Sequence, residues 1–173
     1  MRDWDSEYRW VPCVSCMHPG FDKDYDIKNQ FVWFEHKKRL IDGKFLDALP
    51  APRMLNTGQN MSQILEFLGS AETVVTNSYH GVYWATLLKR KVVCIPWGSK
   101  FNMFKHPPTM ATEKNWQDKI KDAKSYPFAL HECREANLKF FDDVKELLGS
   151  HNCIEPQEDK VIDVEFNEDI EQK

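Results

Sequence analysis

The chain has 173 residues, 42% of them hydrophobic, and a formal net charge of −4. That length suits one domain with its own core, and no run approaches the ~18–20 apolar residues of a membrane-spanning helix. Seven Gly and nine Pro exclude collagen-like and low-complexity material, and no basic patch suited to nucleic acid is present.

The opening MRDWDSEYRW is charged and aromatic, without the apolar segment of a signal peptide. Arg9 to Cys16 reads as a short strand broken by His18-Pro19-Gly20, and Phe31 to Glu35 as a second strand. Ile41 to Arg53, with Gly43, Pro50 and Pro52, reads as a connector. Met54-Leu55-Asn56 is a brief third strand. Asn60 is placed to cap a helix over Met61 to Leu68, whose Met61, Ile64, Leu65 and Leu68 recur at helical spacing, with Gly69 as its stop.

The centre is the most regular part. Glu72 to Thr76 has the Val-Val pair of a buried parallel strand. Ser78 is placed to cap a helix from about Tyr79 to Leu88, and Lys89-Arg90-Lys91 puts cations at its end. Lys91 to Pro96 is the next strand. Strand, helix and strand in so few residues form one βαβ unit, which requires a parallel pair. The expectation is an α/β fold: a single Rossmann-like domain with a mainly parallel sheet flanked by helices.

A loop, WGSKFNMFKHPP, follows. Thr112 to Ala123 is expected to be helical, and Ala136 to Leu148 more clearly so. Asn137, Leu138, Phe141, Val144 and Leu148 fall on one stripe of that helix, expected to pack into the core. From Glu155 to Lys173 eight acids and two bases give −6, leaving the rest of the chain at +2. The chain thus divides into a body over 1–154 and an acidic tail over 155–173. The tail reads as a solvated extension, with an edge strand at VIDVEF as the alternative.

Five cysteines (Cys13, Cys16, Cys94, Cys133, Cys153) without a secretory signal point to reduced thiols and a cytoplasmic setting. Cys13-Val-Ser-Cys16 has the CxxC spacing. Zinc would need two more ligands, which no second CxxC or HxxxH supplies, so no metal is expected. Structural cysteines are the favoured reading.

Ligands of open α/β sheets bind outside the carboxyl ends of parallel strands, near helix N-termini. Two segments occupy that position. In Thr76-Asn77-Ser78-Tyr79-His80-Gly81, free N–H groups would hold an anion and Gly81 would let a substrate approach the backbone. Trp97-Gly98-Ser99-Lys100-Phe101 places a cation on the neighbouring loop. Tyr83 and Trp84, inside the helix, are expected in the core.

The run ETVVTNSYHGVYWATLLKRKVVCIP, with SKF two residues later, resembles the polysaccharide pyruvyl transferase family. Members carry a strand ending in Thr-Asn/Asp-Ser-Phe-His-Gly or an Arg-Leu-His-Gly variant, then a helix, a short strand and a Ser-Lys or Ser-Arg loop. The likeness is strongest from about Asn60 to Phe104, and extends loosely back through FVWFEHKK and RWVPCVSCMHP. It implies one half of a GT-B-like fold, the half that binds the donor. A second domain or subunit would then complete the cleft.

The implied chemistry transfers the enolpyruvyl unit of phosphoenolpyruvate onto hydroxyls of a glycan acceptor as a ketal, releasing phosphate, with no cofactor. His80 matches the family's histidine, a general acid towards the methylene carbon. Asn77, Ser78, Ser99 and Lys100 are expected on the donor's anionic groups, with Lys105 and His106 as weaker choices. Trp97 and Phe101 are expected to stack on a sugar ring. Ser78 stands where the second variant has an arginine, which would bind a carboxylate bidentately. A nucleotide-sugar donor used by a GT-B glycosyltransferase is therefore the second expectation. A non-catalytic module binding sugars or anions is the third.

Overall fold

The computed structural model describes residues 9–41 and 51–149. The tail, Cys153 and most of the Ile41–Arg53 connector lie outside the described residues. Five strands form one sheet: β1 (Asn29–His36), β2 (Arg53–Asn56), β3 (Ala71–Thr76), β4 (Lys91–Cys94) and β5 (Thr109–Met110). Their order is β2-β1-β3-β4-β5, and every neighbouring pair is parallel. The expected α/β Rossmann-like architecture is therefore present.

A parallel sheet must be covered on both faces, and alternation along the strands shows how. Val32, Phe34, Val74, Val92 and Cys94 belong to one buried cluster, shared with Ile64, Leu65 and Leu68 of helix α1 (Met61–Gly69) and Val82, Ala85 and Leu87 of helix α2 (Tyr79–Leu87). Trp33, Val75, Val93 and Ile95 belong to a second cluster with Ile41, Ala111, Trp116 and Ala123. Trp33 meets Trp116 edge to face, centroids 4.6 Å apart, the arrangement that aromatic quadrupoles favour.

Local signals set the helix ends. Asn60 Oδ1 accepts from the Gln63 N–H while Gln63 Oε1 accepts from the Asn60 N–H, a reciprocal cap on α1. α2 ends in a Schellman turn, in which the Arg90 N–H bonds the Ala85 carbonyl and the Lys89 N–H that of Thr86. Lys89 adopts φ 61° there, a left-handed conformation costly for a side chain with a Cβ. A Lys89→Gly chain is expected to gain about 0.5–1 kcal/mol in chemical denaturation.

Four elements depart from the sequence expectation. Arg9 to Cys16 forms no strand: Val14–Met17 is a 3-10 turn, and this segment lies against a helix rather than a strand edge. Thr112 to Ala123 holds only a short helix α3 (Trp116–Lys119) and a 3-10 turn at Ile120–Asp122. β5 has two residues, too short for any period, and owes its extended form to pairing with β4. Helix α4 runs from Ala129 to Gly149, beginning about two turns before the expected start.

The stripe on α4 is also not core. Leu138, Phe141 and Leu148 are 51%, 61% and 52% exposed, and burial on this helix falls on Ala129 and Cys133 instead. Its first half packs on α2 and the Val14–Met17 turn, with Asn137 donating to the Pro12 and Cys133 carbonyls.

Candidate functional site

The strand order changes direction between β1 and β3: the chain passes from β1 outward to β2, then returns to β3 on the other side. At such a point the connections at the carboxyl edge diverge and leave a crevice. Four segments reach it, namely the ends of β1 and β2, the β3–α2 junction and the loop after β4. His36, Asn56, Ser78, Tyr79, His80, Lys100 and Met103 line the resulting pocket, about 300 Å³ in volume.

The β3–α2 junction is rigid. The Thr76 hydroxyl donates to the Phe34 carbonyl (2.5 Å) and accepts from the Ser78 N–H (2.9 Å), tying the helix start to β1. Ser78 Oγ caps α2 by accepting from the Gly81 N–H (3.4 Å), and accepts also from Asn56 Nδ2 (3.1 Å). Both of its acceptor positions are then used, which leaves its own O–H to donate. The N–H groups of Tyr79 and His80 open the helix and have no carbonyl partner within it. Together they form a short array of donors.

His80 lies flat on Trp84, centroids 4.8 Å apart, and edge-on to Tyr79. Burial lowers its pKa below the ordinary histidine value, and the Lys100 charge lowers it further. Both effects favour the neutral imidazole in the free site. Lys100 Nζ lies over the rings of Trp97 (4.4 Å), Phe101 (5.5 Å) and Tyr79 (5.6 Å). Its contacts among the described residues are ring faces, which hold a cation without neutralising it.

Of the expected site residues, Ser78, His80 and Lys100 come together in this pocket. Asn77 sits behind them. Its Oδ1 accepts from the His36 N–H (2.8 Å), its Nδ2 donates to the Arg39 carbonyl, and its carbonyl accepts from Trp97 Nε1 (2.9 Å). It fastens the turn after β1 to the turn after β3 rather than facing a ligand. Gly81 answers a packing need. A Cβ there would stand 2.5 Å from Thr76 Oγ1 and 2.6 Å from Phe34 Cδ1, so it lets α2 approach the sheet and does not admit a substrate.

Ser99 opens the 3-10 turn Ser99–Met103, exposed and outside the pocket lining. Lys105 and His106 lie outside this pocket, both contacting Glu132 Oε2 (2.9 and 3.1 Å), and line a neighbouring cavity instead. Phe101 is fully buried, so it cannot stack on a sugar. Trp97 is 41% exposed, with Lys100 Nζ 4.4 Å and Arg39 Cζ 5.4 Å from its ring centroid. Tyr83 is in the core as expected, whereas Trp84 is half-buried against it.

Sequence reasoning missed His36 and Asn56 as site residues. Each is the last residue of its strand, and the two are register partners across β1 and β2. The available signal was position: a polar residue closing an apolar strand run. A second cavity of about 190 Å³ adjoins the pocket through the shared Tyr79 and Met103, and is lined further by Trp10, Tyr83 and Phe104. Among the described residues no cluster of His, Cys, Asp or Glu is arranged to hold a metal ion, and no helix is long and apolar enough to cross a membrane. Cys13, Cys16, Cys94 and Cys133 are unpaired thiols. Set against known proteins, the chain matches no protein-family model, no curated protein and no solved structure.

Proposed function

We propose that this chain is the donor-binding domain of a pyruvyl transferase-like enzyme that takes phosphoenolpyruvate in the carboxyl-edge pocket. The observation that carries the reading is the convergence of Lys100, Ser78, His80 and the start of α2 on one crevice with no carboxylate in its lining. The Lys100 ammonium, the Ser78 hydroxyl and the Tyr79 and His80 N–H groups would hold the phosphate and carboxylate. Protonated His80 would deliver its proton to the methylene carbon, leaving cationic character on the adjacent carbon. A first glycan hydroxyl attacks that carbon and loses its proton, and the carbon–oxygen bond to phosphate breaks as phosphate leaves. A second hydroxyl of the same glycan adds to the resulting oxocarbenium carbon and loses its proton to close the ketal. The acceptor would be presented by a second domain or subunit facing this edge.

The pKa of His80 makes the reading testable. It is lowered in the free site, and a bound dianion favours the charged ring. At pH 7, then, binding of phosphoenolpyruvate should take up a proton at His80. Titration calorimetry in two buffers of unlike ionisation enthalpy should show that uptake, and a His80→Gln chain should lose it. Binding should weaken as pH rises through the raised, ligand-bound pKa. Lys100→Ala should weaken binding about tenfold or more, the worth of a hydrogen bond to a charged group.

The adjoining aromatic cavity favours one second reading, a nucleotide-sugar donor with its base beside Tyr79 and its phosphates at Lys100. Binding of a nucleotide sugar without phosphoenolpyruvate would replace the first reading with that one. Binding of neither would leave a module without donor chemistry.

A further inference from the structure

We propose that His36 is a ligand-binding residue of the pocket, acting as a fixed neutral hydrogen-bond donor through Nε2–H, while His80 is the histidine that changes charge. The inference rests on the pocket's being an anion site, and adds a residue and a division of labour to it.

Both histidines line the same crevice, but their surroundings differ. His36 Nδ1 accepts a hydrogen bond from the Lys38 backbone N–H at 3.2 Å. A backbone N–H can only donate, so Nδ1 must carry the lone pair and the ring proton must sit on Nε2. Protonating Nδ1 would set two N–H groups against each other and forfeit that bond. Trp97 stands against the ring, centroids 5.5 Å apart, and the backbone N–H of His36 donates to Asn77 Oδ1.

The charges facing His36 act in the same direction. Lys37, Lys38 and Arg39 follow it on its own segment, Lys100 faces it from the loop after β4, and burial and all four cations lower its pKa. On the α2 side the pocket contributes the neutral ring of His80. A neutral donor supplies directional contact to a phosphate or carboxylate oxygen without adding charge. Among the described residues His80 has no comparable bond to a backbone N–H; it is stacked on Trp84, which leaves its ring nitrogens able to gain a proton when an anion arrives.

The test uses inorganic phosphate as probe and isotope-labelled imidazole nitrogens as reporter. In the free chain at pH 7, nuclear magnetic resonance should show the Nε2–H tautomer at His36. Adding phosphate should leave His36 neutral while His80 becomes doubly protonated. His36→Gln, whose amide nitrogen stands near the place of Nε2, should bind phosphate within about threefold of the unmodified chain. His36→Phe, which keeps a ring against Trp97 but removes the donor, should bind about tenfold more weakly.

Charging of His36 on phosphate addition, an Nδ1–H tautomer, or equal affinity of the Phe and unmodified chains would each overturn the proposal. Those results leave the anion site standing, because the unmodified chain still binds. Failure of the unmodified chain to bind phosphate removes both ideas together.

Discussion

An Arg53→Ala chain is expected to lose about 3 kcal/mol of folding stability, read as a lower denaturant midpoint at unchanged slope. Glu35 is fully buried in the middle of the sheet. Its Oε2 accepts from Arg53 Nη2 at 2.9 Å and from the Ile41 N–H at 3.0 Å. Arg53 Nε lies against Oε1 as an ion contact rather than an aligned hydrogen bond. Removing the arginine leaves a buried carboxylate with one backbone donor. The loss falls at the low end of the range for broken buried pairs because Arg53 is itself 38% exposed, and water can enter where its side chain was.

The pair also has a positional role. It joins β1 to β2 one residue before His36 and three before Asn56, and the Glu35–Ile41 bond folds the chain back after β1. Phosphate binding should therefore weaken in Arg53→Ala along with stability. A double Glu35→Leu, Arg53→Met chain should recover most of the stability, as apolar replacements of buried ion pairs do. It will retain a deficit of about 1 kcal/mol from the Ile41 N–H left without its acceptor. Equal stability of Arg53→Ala and the original chain would show that the buried carboxylate finds its compensation elsewhere.

A Gly81→Ala chain is expected to lose about 2 kcal/mol, although alanine in an exposed helix position would gain about 1 kcal/mol over glycine. The sign reverses because the new methyl meets the Thr76 hydroxyl and the Phe34 ring, both fully buried. The Thr76 hydroxyl is also the anchor of Ser78, so the strain passes to the pocket wall. Weaker phosphate binding should accompany the lower midpoint. Stabilisation on this substitution would mean that α2 stands further from the sheet than the packing of Gly81 requires.

How much of this was legible in the sequence varied with how local the cause was. β3, α2 and β4 were readable because consecutive Val residues mark strands buried on both faces, and because Ser78 announces a helix start within three residues. Asn60 did the same for α1. Arg9 to Cys16 was misread because an apolar stretch with cysteines resembles a strand until one asks which edge it would join. The stripe on α4 was real as a period, but a period specifies helix and not burial. What the helix rests on comes from the Val14–Met17 turn, more than a hundred residues away in the chain.

The site divides along the same line. The sequence by itself determined that Ser78 and His80 open a helix after a buried strand, and that a cation follows the next one, because capping and strand patterning are short-range effects. Only the tertiary structure decided that Lys100 reaches their pocket while Lys105 is drawn to Glu132, that Phe101 is buried, and that His36 and Asn56 complete the wall. Those outcomes depend on β1 lying beside β3 across some forty residues. Pairing of that range follows from covering both faces of the sheet at once, which no local window of sequence contains.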